Sequence, residues 1–183
     1  AGRDERNLLV VTLGTGVGGG LVLDGEIFAG PGGMAGEIGH VVVDPDGPLC
    51  ACGAHGCLET LASASAASAR ARALGLPRDE PGDLVRLGDL ARRAGPEREL
   101  LHEIGRDLGR GLATAVALLD LRLFVVGGGF GAALHALEPG IREGLRERSY
   151  GKRIESIRIV PAALGADAGW IGAARLTLSF STR

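Results

Sequence analysis

All three cysteines of this 183-residue chain fall within eight positions, in the stretch CACGAHGC from Cys50 to Cys57. Three thiols cannot all pair, and the spacing C-x-C-x4-C is too tight for an ordinary disulfide framework. It suits capture of a metal ion, because zinc takes four tetrahedral ligands with Zn–S distances of ~2.3 Å. Gly53 and Gly56 allow the backbone to fold the sulfurs around one point. The fourth ligand is then a histidine, either His55 inside the loop or His40 ten residues before Cys50, at the end of GEIGH. Reduced, clustered thiols fit the cytoplasm.

Composition narrows the function classes. With 20 basic and 22 acidic residues interspersed along the chain, no basic face for nucleic acid is expected. No apolar run approaches ~18 residues, so no membrane helix is expected, and AGRDERNLL at the N-terminus lacks an apolar signal core. Aromatic residues make up 3%, so the core must be built from Ala, Val, Leu and Ile.

The apolar, β-branched run NLLVVTL (Asn7 to Leu13) reads as a buried strand and leads straight into GTGVGGG (Gly14 to Gly20). Gly14, Gly16 and Gly19 satisfy G-x-G-x-x-G, a dinucleotide-binding signature only when a helix opens within the glycines. The next residues are instead LVLDGEIF, two short apolar runs about Asp24-Gly25, which is a hairpin signal. The glycines therefore join strand to strand. Five glycines and Thr15 in seven positions exceed what a hairpin needs. Two readings remain, a glycine-rich turn with no ligand and, favoured by that excess, a turn whose exposed N–H groups cradle phosphate: Gly14, Thr15, Gly16, Gly18, Gly19 and Gly20.

Further along, Leu58 to Leu74 is Ala-rich and predicted helical, and Arg78 to Gly82 reads as a loop. Leu100, Leu101, Ile104, Leu108, Leu112, Val116 and Leu119 recur at helical spacing. LRLFVV (Leu121 to Val126) is a buried strand, followed by Gly127, Gly128 and Gly129 and the helical AALHALEPGIREGLRE, a candidate nucleotide-edge turn. IESIRIVPAAL supplies another strand and AGWIGAARLTLSF a terminal helix. Strands alternating with helices predict an α/β sheet.

LGTGVGGGLVLDGEIFAGPGGMAGEIGH followed by CACGAHGCLE closely resembles the ROK family of bacterial sugar kinases and sugar-responsive repressors, and VVGGGF and AALGADAGWIGAA are similar to it too. The resemblance implies an actin-like (ribonuclease H-like) ATPase fold, in which ATP and sugar meet between two lobes. It implies that His40 joins Cys50, Cys52 and Cys57 on a structural zinc, in a loop over residues 40–57, and that Glu37, His40 and Glu59 line a sugar site.

The residue chemistry suits those roles. Carboxylates make charge-assisted hydrogen bonds to hydroxyls. Glu37 and His40 are three apart and share a face of one helical turn, while Glu59 lies two residues beyond Cys57. One imidazole nitrogen can ligate metal while the other meets a hydroxyl.

The family's kinases also carry Asp-x-Gly-Gly-Thr and an Asn-Asp pair, whose Asp is the catalytic base, upstream of the glycine turn. Neither occurs here. The expectation is thus a C-terminal lobe over residues 1–183, inactive alone, from a homodimeric, cytoplasmic kinase transferring the γ-phosphoryl group of Mg-ATP to the 6-hydroxyl of a hexose, glucose first. The alternative is the effector-binding domain of a sugar-responsive repressor.

Overall fold

The computed structural model describes residues 1–2, 4–76, 83–150 and 153–165, together with 168, 171, 172 and 174. The loop expected over 78–82 lies outside them, as does most of the expected terminal helix. Among the described residues five strands form one sheet: β1 (Leu8–Leu13), β2 (Val17–Leu23), β3 (Glu26–Ile27), β4 (Leu123–Gly127) and β5 (Arg158–Pro161), in the order β3-β2-β1-β4-β5. β1, β2 and β3 form an antiparallel meander, whereas β4 and β5 run parallel to β1. This is the ribonuclease H-like arrangement that the motifs lead one to expect.

Parallel neighbours need crossovers, and helices supply them. α1 (Leu58–Ala62), α2 (Ala64–Ala73), α3 (Asp83–Leu90) and α4 (Pro96–Leu119) lie between β3 and β4, and α5 (Leu134–Arg148) lies between β4 and β5. The run expected as one helix over Leu58 to Leu74 breaks at Ser63, whose extended backbone ends α1 while its Oγ accepts the N–H of Ala66 and caps α2. The α3 segment carries too short an apolar pattern to be singled out in the sequence. α4 begins four residues earlier than its leucine pattern, with Pro96 in its first turn, where a missing N–H costs nothing.

Leu9, Val11 and Leu13 of β1 and Phe124 and Val126 of β4 face Leu101, Ile104, Leu108 and Leu112 of α4 and Leu137, Ile141 and Leu145 of α5. The opposite face of the sheet buries the smaller set Leu8, Leu123 and Val125.

α4 and α5 run parallel and touch through their backbones. A Cβ built on Gly105 would stand 2.2 Å from the carbonyl oxygen of Leu137, and one on Gly109 would stand 2.1 Å from that of Ile141. The contact is reciprocal: a Cβ on Gly140 or Gly144 of α5 would stand 2.0 Å from the carbonyl oxygen of His102 or Arg106. Alongside this seam the Glu147 carboxylate accepts from Arg106 Nε at 2.6 Å and from Arg110 Nε at 2.7 Å. These guanidinium bonds, Arg106 first, hold its pKa below the ordinary glutamate value.

In a free helix Gly→Ala gains about 1 kcal/mol. At Gly109 the added methyl meets a main-chain oxygen that cannot swing aside, and overpacking of a core costs about 1–3 kcal/mol or more. Gly109→Ala is expected to lower stability by about 2 kcal/mol, read as a reduced denaturation midpoint; an unchanged or raised midpoint would contradict the backbone contact.

Candidate metal and ligand site

The cysteine loop is folded by its own main chain. Cys50 N–H donates to Ala54 O at 2.8 Å, Gly53 N–H to Cys50 O at 2.9 Å, and Gly56 N–H to Pro48 O at 2.8 Å. Gly56 has φ +63, and a Cβ there would fall 1.4 Å from Asp44 O, so no other residue fits. Val43 N–H and Leu58 N–H then tie the loop's base, to Gly56 O at 2.8 Å and to Val41 O at 2.9 Å.

This brings together one ligand atom from each of His40, Cys50, Cys52 and Cys57, all within 4.8 Å of one another. Cys50 Sγ is 3.6 Å from His40 Nδ1, and Cys52 Sγ is 3.6 Å from Cys57 Sγ. A zinc tetrahedron with bonds of about 2.0–2.3 Å has edges of about 3.6–3.8 Å, so the donor set fits that ion. His55 points elsewhere: its Nδ1 lies 3.1 Å from Gly47 O. The thiols are unequal. Burial, with the neighbouring Cys52 and Cys50 thiols, pushes Cys57 up to about 12. The backbone at Ala54, then the thiols of Cys50 and Cys57, bring Cys52 down to about 7. Burial therefore keeps the Cys57 proton at neutral pH, and a divalent ion among the sulfurs would favour its thiolate.

Cys57 is also the N-cap of α1, which carries Glu59 in its first turn. Glu37 precedes the 3₁₀ turn Ile38–His40. Residues three apart eclipse in a 3₁₀ helix, so Glu37 and His40, both exposed, lie on one side. That turn rests on β2: a Cβ on Gly39 would stand 2.1 Å from Val17 O, and one on Gly19 would stand 2.2 Å from Gly36 O. The 3₁₀ turn, α1 and β2 pack against one another, and Glu59 reaches the start of β2 through the Val17 N–H.

The glycine run divides. Leu13 pairs with Val17, so Gly14, Thr15 and Gly16 alone form the turn, while Gly18, Gly19 and Gly20 belong to β2 opposite Thr12, Val11 and Val10. Gly18 and Gly19 thus answer a packing need as well: a Cβ on Gly18 would crowd Thr12 Oγ1 at 2.8 Å. Glu59 Oε2 accepts the Val17 N–H at 3.0 Å, Ala64 N–H donates to Gly14 O at 2.8 Å, and Ser65 Oγ donates to Thr15 O at 2.8 Å. Sequence reasoning missed Ala64 and Ser65; the signal that points to them is the capping serine in LASASA.

Thr12 of β1 pairs with Gly127 of β4, which sets Gly127, Gly128 and Gly129 next to the turn at the carboxyl ends of two parallel strands. Ligands of α/β sheets bind at that edge. Gly128 has φ +83, and a Cβ on it would stand 2.3 Å from Leu13 O. Gly128→Ala is expected to cost about 3 kcal/mol or more, measured by chemical denaturation; a loss below about 1 kcal/mol would show that the two turns are not locked together.

Among the described residues no helix is long and apolar enough to cross a membrane. The glucokinase of Thermotoga maritima is 33% identical over 96% of this chain and 59% of its own length, and the N-acetylmannosamine kinase of Salmonella typhi is 35% identical over 94% and 57%. The chain thus spans less than two thirds of these relatives. Among solved structures, a ROK family glucokinase from Streptomyces griseus in complex with glucose and AMPPNP superposes with a TM-score of 0.78 at 33% identity, covering 96% of this chain and 62% of that one. A ROK family transcriptional regulator, a homologue of the E. coli MLC protein, superposes with a TM-score of 0.73 at 30% identity, covering 87% and 42%. The ROK family model itself matches residues 1–179. A cysteine–histidine cluster, a glycine turn against a parallel strand edge, and a match over almost every residue agree: this chain belongs to the ROK family.

Proposed function

We propose that residues 1–183 form the sugar- and phosphate-holding lobe of an ATP-dependent sugar kinase, with residues 40–57 as its zinc-binding loop. The observation that carries this reading is the meeting of two glycine turns, Gly14–Gly16 and Gly127–Gly129, at one sheet edge, with Glu59 hydrogen-bonded to Val17, the residue that follows the first. In this reading the turn amides receive phosphate, with Gly18, Gly19 and Gly20 behind them, and the second turn receives the nucleoside. Glu37, His40 and Glu59 bind hydroxyls of a hexose, glucose first, with N-acetylmannosamine the competing substrate.

His40, Cys50, Cys52 and Cys57 hold zinc. When bound, the ion cross-links the loop and, with four protein ligands, offers no open coordination position. His40 then keeps Nε2 for a hydroxyl, since Nδ1 faces Cys50. Cys57, at the head of α1, fixes where Glu59 stands. Phosphoryl transfer depends on such positioning and on charge stabilisation. The general base, an Asp by resemblance, comes from outside these residues, so the chain alone turns over negligibly. The proposed setting is a cytoplasmic homodimer using Mg-ATP. Likeness to the regulator supports a second reading as a sugar-sensing effector domain, for which the protein would bind operator DNA and form no ADP.

Two measurements test this. In the full-length protein, glucose-dependent ADP formation is expected, and Glu37→Ala should weaken sugar binding about 10- to 100-fold, as for loss of a hydrogen bond to a charged group; no sugar-dependent turnover with any hexose would overturn the kinase reading. Metal analysis should find one zinc per chain, lost in His40→Ala and kept in His55→Ala, and chelation should lower the melting temperature sharply, since such sites contribute about 10–16 kcal/mol in small domains. Retention of zinc by His40→Ala would reassign the fourth ligand.

A further inference from the structure

The Glu59 carboxylate has two oxygens in different settings. Oε2 accepts the Val17 N–H at 3.0 Å and presses against the turn so closely that a Cβ on Gly16 would lie 2.1 Å from it. The rest of the turn is held from the same side. The carbonyls of Gly14 and Thr15 are taken by Ala64 N–H and Ser65 Oγ, each at 2.8 Å, and that of Gly16 takes Gly14 N–H at 3.0 Å. All three carbonyls are thereby engaged, while the amides of Thr15 and Gly16 have no acceptor among the described residues. Glycine peptides flip readily, and a flipped Gly16–Val17 peptide would unmake both the Gly16 carbonyl bond and the Val17 amide bond. The Glu59–Val17 bond is the only side-chain hydrogen bond on that peptide among the described residues.

We propose that Glu59 is a positioning residue for the phosphate turn: Oε2 fixes the Gly16–Val17 peptide, and with it the Gly16 carbonyl that closes the turn on the Gly14 N–H, while Oε1 serves the sugar, coupling the two subsites through one carboxylate. The inference rests on the phosphate reading of the turn. It requires a hydrogen-bond acceptor at residue 59, not a charge. Glutamine retains the acceptor and alanine removes it.

The test is calorimetric binding of the magnesium complex of a non-hydrolysable ATP analogue to the full-length protein without sugar, with amide exchange of residues 14–17 followed in parallel. Glu59→Ala is expected to bind the analogue about 10- to 100-fold more weakly and to exchange faster at Val17. Glu59→Gln should stay within about threefold of wild type for the analogue while losing sugar affinity. Gly16→Ala, which expels an intact Glu59, should reproduce the alanine phenotype. Unchanged affinity in Glu59→Ala, or a Glu59→Gln as weak as the alanine variant, overturns the positioning role and leaves the phosphate reading standing. A wild-type protein that binds no analogue overturns that reading and this inference with it.

Discussion

Main chain lies directly on main chain at four places that fix how the elements of this fold sit against one another. The helix pair α4 and α5, the 3₁₀ turn on β2, the cysteine loop at Asp44 and the junction of the two glycine turns all close to distances that no Cβ would survive, from 1.4 Å at Gly56 to 2.3 Å at Gly128. Such contacts forgo side-chain burial, worth about 25 cal/mol per Å² of apolar surface. In exchange they set the relative height of neighbouring elements by hard-sphere repulsion, which no rotamer change can relax. With 32 glycines and 3% aromatic residues, the chain is built for that trade.

The candidate site inherits its order from this packing. Glu37 and His40 stand beside β2 because Gly19 and Gly39 let their turn lie flat on the strand. Glu59 stands beside the turn because Cys57 heads α1 and because Gly16 leaves room for a carboxylate. A zinc ion held by His40 and the three thiols would join these two supports, since one ligand belongs to the 3₁₀ turn and another to the head of α1. Its role in that reading is geometric, and the chemistry stays with the acids and amides.

Much of this was legible in the residues. β1, the Asp24-Gly25 hairpin, β4 and α4 arise from short apolar runs and helical spacing, local signals that the fold does not override. The four metal-ligand candidates were legible because thiols cluster for few other reasons, but the choice of His40 over His55 needed either the resemblance or the Gly47 carbonyl that occupies His55. The illegible part was long-range. Gly18 to Gly20 looked like turn residues because their glycine content suppresses the strand pattern, yet pairing with Val10 to Thr12 makes them β2. Ser63 hid inside an Ala-rich run, although it splits α1 from α2 and so brings Ala64 and Ser65 to the turn. Gly105, Gly109, Gly140 and Gly144 carry no periodic apolar signal, because what they bury is backbone.

The α4 and α5 seam also limits how these two helices can move. Helices separated by side chains can slide by small rotamer adjustments, the basis of shear motions. Here a residue-by-residue mesh of glycines and carbonyls runs along both helices, flanked by Arg106 and Arg110 on Glu147. Sliding by even part of a helical rise would drive oxygens into Cα atoms. Sliding of α4 along α5 is therefore blocked, and the two helices behave as a single plate.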